Sequence, residues 1–283
     1  MELYTSGSAL RNLLKSLKRQ GRSVGLVPTM GFLHEGHKSL MDRARRENDI
    51  LVASVFVNPT QFGPEEDLEA YPRDIERDKE VMESAGVDYV FYPTVEEMYP
   101  QGFSTYVNVE GSLTSRMCGA SREGHFRGVA TVLSKLFNIC VPDRAYFGMK
   151  DAQQVSVVQR MVEDMNFDLD IVPCPIVREP DGLALSSRNT YLDAQQRKDA
   201  LILSKSLGRA REMIDGGERE AAAIYAEMKR MINTIEYMKI DYIEILDAKS
   251  LEPLQTLEGD VLIALAVWVG KPKLLDNIRL EVE

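Results

Sequence analysis

Through the first two thirds of the chain, short apolar segments alternate with longer segments in which apolar residues recur at helical spacing. Strands are predicted at 23–27, 50–57, 89–92, 106–109, 145–147 and 171–177. Helices are predicted between them at 9–20, 36–47, 66–85, 128–141 and 152–165. This alternation is typical of a parallel sheet with crossover helices, so we expect an α/β core of the nucleotide-binding type.

The pattern changes after residue 189. A polar amphipathic segment at 193–214 and a second helix at 219–235 are separated by Gly216 and Gly217. Three strand-like segments then follow, at 240–246, 261–269 and 278–282. Because turn residues join them, we expect a small α/β domain with antiparallel strands. The predicted domains are 1–188 and 189–283.

Composition limits the possible partners. The chain has 283 residues, 34 Lys and Arg against 44 Asp and Glu, and therefore a formal net charge of −10. Such acidity disfavours nucleic acid and anionic membranes as partners, since both need basic surface. Its three cysteines have no paired spacing, which favours reduced thiols over a disulfide framework or a zinc site. With no apolar segment long enough to span a bilayer, we expect a cytoplasmic protein.

The segment 28–37 carries the sharpest chemical signal, because His34 and His37 stand between the first predicted strand and a helix. A helix N-terminus offers free N–H groups and positive potential to a phosphate. Gly31 and Gly36 allow close backbone approach, and imidazoles there can donate to phosphoryl oxygens or add positive charge. A zinc pair is disfavoured because no third ligand follows at zinc-site spacing.

Two further segments supply the positive charge that an acidic protein needs for an anionic ligand. Lys150 lies at the carboxyl end of a predicted strand, where open α/β sheets bind ligands. The segment 181–189 combines Ser186, Ser187 and Arg188 on a loop that begins near a glycine. Hydroxyls, backbone amides and a guanidinium suit a departing pyrophosphate.

A third group is neutral and polar. Gln61 follows the second predicted strand together with Asn58, and Gln154 lies at the start of a helix. Amides donate and accept, so they suit a substrate with hydroxyl and carboxylate groups. His125 and Arg127 face the same cleft in this interpretation, although a simple helix-entry turn explains them equally well.

These segments all follow carboxyl ends of strands in one predicted sheet, so they should meet in one crevice. No P-loop for γ-phosphoryl transfer is present. The residues therefore favour nucleotidyl transfer or adenylation at the α-phosphate of ATP. The spacing leaves the acceptor open.

The sequence resembles the pantothenate synthetase (pantoate–β-alanine ligase) family along essentially its whole length. The matching segments are PTMGFLHEGHKSL, SVFVNPTQFGPEEDLEAYPRD, EGHFRGVATVLSKLFNI, YFGMKDAQQ and DGLALSSRNTYL. The resemblance implies a Rossmann-like parallel sheet with helices on both faces, a smaller C-terminal lid domain and a homodimer. It also implies ATP and Mg²⁺, with pantoate converted to pantoyl adenylate and then joined to β-alanine to give pantothenate.

Residue roles follow from the same resemblance. The first ATP-binding segment would comprise Met30, Gly31, Phe32, Leu33, His34, Glu35, Gly36 and His37, with His37 as proton donor. The second would comprise Gly148, Met149, Lys150 and Asp151, and the third Leu185, Ser186, Ser187 and Arg188. Val177 would contact adenine through its backbone, and Gln61 and Gln154 would bind pantoate. The predicted catalytic residues are His34, His37, Lys150 and Arg188, and no side chain is predicted as a metal ligand.

Phe32 and Met149 depart from the residues usual in this family at their positions, but neither change removes a functional group. Two other functions stay open at this point. One is transfer of AMP to a phosphate ester, and the other is a catalytically silent nucleotide sensor.

Overall fold

The computed structural model describes residues 1–64, 66 and 68–283. Among these, six strands form a parallel sheet in the order β1, β4, β3, β2, β5, β6. They are β1 (Glu2–Tyr4), β2 (Val24–Thr29), β3 (Ile50–Val55), β4 (Tyr89–Phe91), β5 (Arg144–Gly148) and β6 (Asp170–Cys174). The chain leaves β2 for β3 on one side and returns to β5 on the other. A ligand crevice is therefore expected outside the carboxyl ends of β2 and β5.

Helices cover both faces of this sheet. They are α1 (Gly7–Arg19), α2 (Glu35–Glu47), α3 (Ile75–Ser84), α4 (Val95–Met98), α5 (Ser112–Ser115), α6 (Met117–Ser121), α7 (His125–Cys140) and α8 (Ala152–Asp164). Alternate residues of β2 enter different cores: Leu26 packs with α1, α7 and α8, whereas Val27 packs with α2 and α3. This alternation explains why the central strands are apolar throughout. The predicted α/β fold with a parallel sheet is confirmed.

Short 3₁₀ helices follow three strands of the parallel sheet along the chain. They are Pro59–Gln61 after β3, Met149–Asp151 after β5 and Ser187–Tyr191 after β6. Each lies in a segment for which the sequence predicts substrate or nucleotide contacts.

The remaining strands form an antiparallel sheet in the order β7 (Met238–Asp247), β8 (Gly259–Val269) and β9 (Lys273–Val282). It is preceded by α9 (Ala194–Asp199), α10 (Leu201–Asp215) and α11 (Ala221–Ile232). Ile263 and Leu265 of β8 pack with α10 and α11, whereas Leu262 and Ala264 join the core around α7 and α8. β8 is thus buried on both faces, and it joins the antiparallel sheet to the core of the parallel sheet. The domain boundary after residue 188 stays a prediction.

The prediction of a strand at 106–109 was wrong. Residues 103–110 form no strand, and the Val107 amide donates to the Thr131 hydroxyl of α7 at 3.0 Å. Tyr106 lies against Phe103 and under the Arg127 guanidinium, 3.9 Å from its ring centroid. The segment has the apolar residues expected of a strand, but its Val107 amide is paired with a helix side chain and not with another strand.

The predicted helix at 66–85 is shorter than expected, and residue 67 lies outside the described residues. α3 begins only at Ile75, where the Asp74 carboxylate accepts from the Arg77 amide as an N-cap. The sequence also missed β1, which adds an outer strand beside β4. β9 begins five residues before its predicted start. No described helix is long and apolar enough to cross a membrane.

Candidate active site

Asp78 fixes the loop that follows β2. Its two carboxylate oxygens accept hydrogen bonds from the amides of Phe32 at 2.9 Å and Leu33 at 2.6 Å. Gly31 has φ +84°, and a Cβ there would lie 2.9 Å from Asp78 Oδ2, so glycine is required on both counts. Burial raises the pKa of Asp78 although these amide hydrogen bonds oppose the change. No sequence signal marked Asp78, because it lies 45 positions beyond Leu33 in the chain.

The two histidines form the N-terminal cap of α2. His34 Nδ1 accepts from the Gly36 amide at 3.1 Å, and the His34 amide donates to His37 Nδ1 at 3.3 Å. Since both Nδ1 atoms accept, each neutral ring carries its proton on Nε2. A Cβ on residue 36 would lie 2.8 Å from the His34 ring, so this cap requires Gly36. The helix start therefore presents two Nε2–H donors beside its free amides.

Both rings are neutral near pH 7. Burial, reinforced by the charge of Lys150, lowers the pKa of His34 to about 4. Burial and the neighbouring His34 lower the pKa of His37 to about 3. The sequence left two roles open for the imidazoles, donation to phosphoryl oxygens and addition of positive charge. Neutral rings fit the first role and not the second. The positive charge must come from other groups.

The free energy of unfolding should fall between pH 7 and pH 5. The pKa of His34 is lowered to about 4, that of His37 to about 3, and burial beside Arg122 lowers that of His125 to about 4. Between these values and 6.5 the unfolded chain binds more protons, so each histidine reduces stability by about 1.4 kcal/mol per pH unit below 6.5. Urea unfolding at pH 7, 6 and 5 measures this slope.

The control variant is His34→Asn, which keeps an N-cap acceptor but has no titratable ring. Its slope should be smaller than that of the wild type. An equal slope in both proteins would contradict the neutral state of His34.

Lys150 lies in the turn that joins β5 to α8. Gly148 ends the strand, and the 3₁₀ helix Met149–Asp151 runs directly into α8. The Lys150 side chain is one-fifth exposed, with its Nζ 3.6 Å from Asp151 Oδ1. This placement puts a point charge on a flexible stem at the carboxyl end of β5, next to the histidine loop.

The third segment closes onto the first. The Leu185 amide donates to the Val177 carbonyl at 3.0 Å, so the segment between them folds back on itself. Ser187 is buried, and its hydroxyl donates to the Phe32 carbonyl at 3.4 Å. The Arg188 amide donates to the Ser186 hydroxyl at 3.3 Å. Residues 155 positions apart therefore meet at one site.

Asn58 positions Gln61 at the end of the second strand connection. Its buried side chain donates to Gln61 Oε1 at 3.0 Å and to the Gly128 carbonyl at 3.2 Å. Its Oδ1 accepts from the hydroxyls of Thr60 and Tyr99. Every polar atom of the Asn58 side chain is thus used to hold this turn against α7.

His125 supports the same turn from α7. Arg122 Nη1 donates to His125 Nε2 at 2.9 Å, so His125 carries its proton on Nδ1 and donates it to the Gln61 carbonyl at 2.9 Å. Arg122 in turn forms two hydrogen bonds to the Glu66 carboxylate, at 2.7 and 2.6 Å. Burial alone would raise the pKa of Glu66, but Arg122 outweighs it and lowers the pKa. Arg127, in contrast, points to Tyr106.

These segments enclose one cavity of about 250 Å³ at the carboxyl ends of β2 and β5. The predicted site residues that line it are Met30, His34, Gly36, His37, Gln61, Gly148, Lys150, Asp151, Gln154, Val177, Leu185, Ser186, Ser187 and Arg188. Lining residues that the predicted site did not include are Asn58, Phe62, Tyr71, Arg122 and His125, among others. Asn58 and His125 had polar-cluster signals in the sequence, whereas Tyr71 had none.

The other predicted residues lie outside the lining. Leu33 is fully buried, Glu35 is exposed in the first turn of α2, and Met149 packs against the large core. Phe32 lies 4.9 Å from the Arg77 guanidinium with its ring turned to that side. The backbone amides of Phe32 and Leu33, rather than their side chains, hold the loop after β2 in place through Asp78.

Charge in the cavity is locally positive although the chain is acidic. Lys150, Arg122 and Arg188 line it, and Asp151 is the one carboxylate among its described lining residues. No group of three or more His, Cys, Asp or Glu residues that could hold a metal ion occurs in the described part of the chain. The cavity can therefore accept a polyphosphate together with a molecule that bears hydroxyl and carboxylate groups near Gln61 and Gln154.

Comparison with protein families places this geometry in context. The family model described as pantoate-beta-alanine ligase matches residues 2–279. The pantothenate synthetase of Moorella thermoacetica is 57% identical over 282 residues, covering 100% of this chain and 99% of that protein. The pantothenate synthetase of Caldicellulosiruptor bescii is 56% identical and covers 97% of both chains.

Solved structures show the same relationship. The pantothenate synthetase of Thermus thermophilus superimposes with a TM-score of 0.94 at 46% identity, covering 98% of this chain and 99% of that chain. The pantoate-beta-alanine ligase of Francisella tularensis, solved with beta-gamma ATP and beta-alanine, has a TM-score of 0.79 at 32% identity. It covers 98% of this chain and 97% of the neighbour.

Proposed function

The chain belongs to the pantoate–β-alanine ligase family, and from this premise we propose that it condenses pantoate with β-alanine at the expense of ATP. The products are pantothenate, AMP and pyrophosphate, and pantoyl adenylate is the intermediate. The observation that carries the proposal is the meeting of two Nε2–H donors, Lys150 and the Ser186–Arg188 segment around one cavity.

In the first half-reaction a pantoate carboxylate oxygen attacks the α-phosphorus of ATP. A phosphorus–oxygen bond forms, the bond to the bridging oxygen breaks, and pyrophosphate leaves with that electron pair. His34 and His37 donate to phosphoryl oxygens, while Lys150 and Arg188 offset the charge that develops. These groups also reduce the repulsion between two anionic reactants.

Gln61 and Gln154 hold pantoate in the same proposal. Their side chains line the cavity beside the histidine loop, and Asn58 and His125 fix the Gln61 turn. In the second half-reaction the β-alanine amine forms a carbon–nitrogen bond to the acyl carbon of pantoyl adenylate. The bond from that carbon to the phosphate oxygen breaks, AMP leaves with the electron pair, and the amine nitrogen releases a proton to solvent. Val177 would contact adenine through its backbone.

Mg²⁺ is the metal that this donor set fits. A single carboxylate, that of Asp151, together with serine hydroxyls suits an ion held chiefly by phosphate oxygens and water. When bound, Mg²⁺ neutralises part of the triphosphate charge. The protein groups then orient the α-phosphate towards the pantoate carboxylate.

Pyrophosphate release without β-alanine tests the function directly. The purified protein, ATP and Mg²⁺ should release pyrophosphate only when pantoate is added, and pantothenate and AMP should form once β-alanine follows. Pyrophosphate release that ignores pantoate would contradict the proposal. A dinucleotide-like product would instead indicate AMP transfer to a phosphate ester, and ATP binding without turnover would indicate a sensor.

The Gly128→Ala variant should raise the KM for pantoate more than the KM for ATP. A Cβ on residue 128 of α7 would clash with the Thr60 carbonyl and lie 2.6 Å from Gln61 Cα, so the Gln61 turn must move. Initial rates with each substrate varied in turn measure the two constants.

Gly208→Ala is the matched control, because Gly208 lies in α10 with nothing within 4 Å of its Cβ position. It should leave both constants unchanged and stabilise the fold by up to about 1 kcal/mol. Equal increases of the two KM values in Gly128→Ala would contradict the assignment of Gln61 to pantoate.

A homodimer in the cytoplasm completes the proposal. Its support is the family membership and the three buried free cysteines, which suit a reducing compartment. Light scattering should give twice the chain mass of 31.9 kDa, and the chain mass itself would contradict a dimer.

A further inference from the structure

Two adjacent polar residues interrupt the buried part of β9, one on each face of the strand. Asp276 is 2% exposed and Asn277 is 4% exposed, and both lie in the middle of the strand. Buried polar groups are retained only where they are satisfied, so their partners show what they do. The partners of both residues lie in or next to two segments that line the cavity, the Lys150 turn and the third segment.

Asn277 holds the Lys150 turn. Its side-chain amide donates to the carbonyls of Met149 at 2.9 Å and Lys150 at 3.0 Å. These residues are 128 and 127 positions away along the chain. The C-terminal sheet therefore fixes the backbone from which the Lys150 side chain enters the cavity.

Asp276 holds the third segment. Its carboxylate forms a bidentate ion pair with Arg178, at 2.7 and 2.8 Å, and Arg178 also donates to the Gly182 carbonyl at 3.0 Å. Arg178 follows Val177 and bridges Ala184, just before Leu185. The ion pair thus supports the turn that leads to Ser186–Arg188.

Because consecutive side chains of a strand point to opposite faces, one dipeptide reaches both segments. Backbone hydrogen bonds also connect the two residues' networks. Arg178 donates to the backbone carbonyl of Asn277 at 3.4 Å, and the backbone N–H of Asn277 donates to Asp276 Oδ1. The spacing between the Lys150 turn and the third segment is therefore set by β9.

We propose that Asp276 and Asn277 are positioning residues that hold the two triphosphate-binding segments in register, so that the C-terminal sheet controls ATP affinity in the first half-reaction. The expected changes in KM rest on the proposed function, whereas the expected change in ATP binding does not. It concerns ATP more than pantoate, because Asn277 holds the backbone of Lys150 itself, whereas neither side chain hydrogen-bonds to Gln61 or Gln154 among the described residues.

Asn277→Asp keeps the side-chain volume but removes both N–H donors. It should raise the KM for ATP and the ATP dissociation constant by about tenfold, with the KM for pantoate changed less than about twofold. Asp276→Asn, which weakens the ion pair with Arg178, should act in the same direction. Asn277→Ala removes the donors without adding charge and serves if Asn277→Asp does not fold.

Val282→Ala is the matched control, since Val282 is buried in the C-terminal core on the same strand and touches neither nucleotide segment. It should lower the melting temperature with both KM values unchanged. The proposal is overturned if the KM and the dissociation constant for ATP change less than about twofold in both Asn277 variants. It is also overturned if the KM values for ATP and pantoate rise by the same factor. Unfolding of both Asn277 variants, with Val282→Ala still folded, would show a purely structural role and overturn it too.

Calorimetric titration of ATP separates this proposal from the function itself. If the wild type binds ATP but releases no pyrophosphate with pantoate, the proposed function fails while the ATP dissociation constants still test the positioning role. If the wild type does not bind ATP, both fail.

Discussion

Replacing Lys150 by methionine should slow pantoate-dependent pyrophosphate release by about 100- to 1,000-fold, the range expected when one group that stabilises transition-state charge is removed. Methionine keeps the aliphatic stem and removes the ammonium group. The stem is mostly buried at the carboxyl end of β5, so the fold should be preserved. Single-turnover measurement of pyrophosphate without β-alanine isolates this step.

Lys205→Met is the control for Lys150→Met, because Lys205 is exposed on α10 and does not line the cavity. Its rate should equal that of the wild type. Full turnover by Lys150→Met would remove Lys150 from the catalytic set and leave the positive charge to Arg122 and Arg188.

His37→Ala should reduce the same rate by about 100- to 1,000-fold, whereas His37→Gln should retain much more of it. His37 Nδ1 is occupied by the His34 amide, so the atom available to a phosphate is Nε2–H. A glutamine amide can place an N–H donor near that position but cannot act as a proton donor of histidine type. The comparison therefore separates hydrogen bonding from acid catalysis.

The pH dependence adds an independent check on His37. With its pKa lowered to about 3, the kcat/KM of the free enzyme should show no decline from His37 protonation between pH 8 and pH 6. Equal losses in His37→Ala and His37→Gln, with a decline from pH 6 towards pH 8 that only the wild type shows, would instead establish His37 as a proton donor, because an acid acts only while it is protonated. His37→Ala must keep its secondary structure by circular dichroism for either result to count.

The candidate site divides into residues that local sequence reveals and residues that it does not. His34, His37 and Lys150 stand directly after strands, so the topology of a parallel sheet brings them together once the strands are recognised. Asp78, His125 and Asn277 act through partners 45 to 128 positions away, and no local pattern encodes such pairings. The strand predicted at 106–109 failed for the same reason, because its backbone partner is the Thr131 side chain.

The protonation state of the site is another property that folding decides. An isolated histidine has a pKa near 6.5, and the sequence left both a cationic and a neutral role open. Burial and the two Nδ1 hydrogen bonds make the rings neutral donors. The chain carries a net charge of −10, yet the described lining of the cavity has three cationic side chains and one carboxylate.

By itself, the sequence determined the alternation of strands and helices, the parallel sheet, the antiparallel C-terminal sheet and the order of the chemical motifs. These follow from hydrophobic periodicity and from residues that are close together in the chain. Only the tertiary structure decided which side chains enter the cavity, which tautomer the histidines adopt, and that Asp276 and Asn277 join two loops. Such features depend on burial and on contacts between distant segments, and these exist only after the chain has packed.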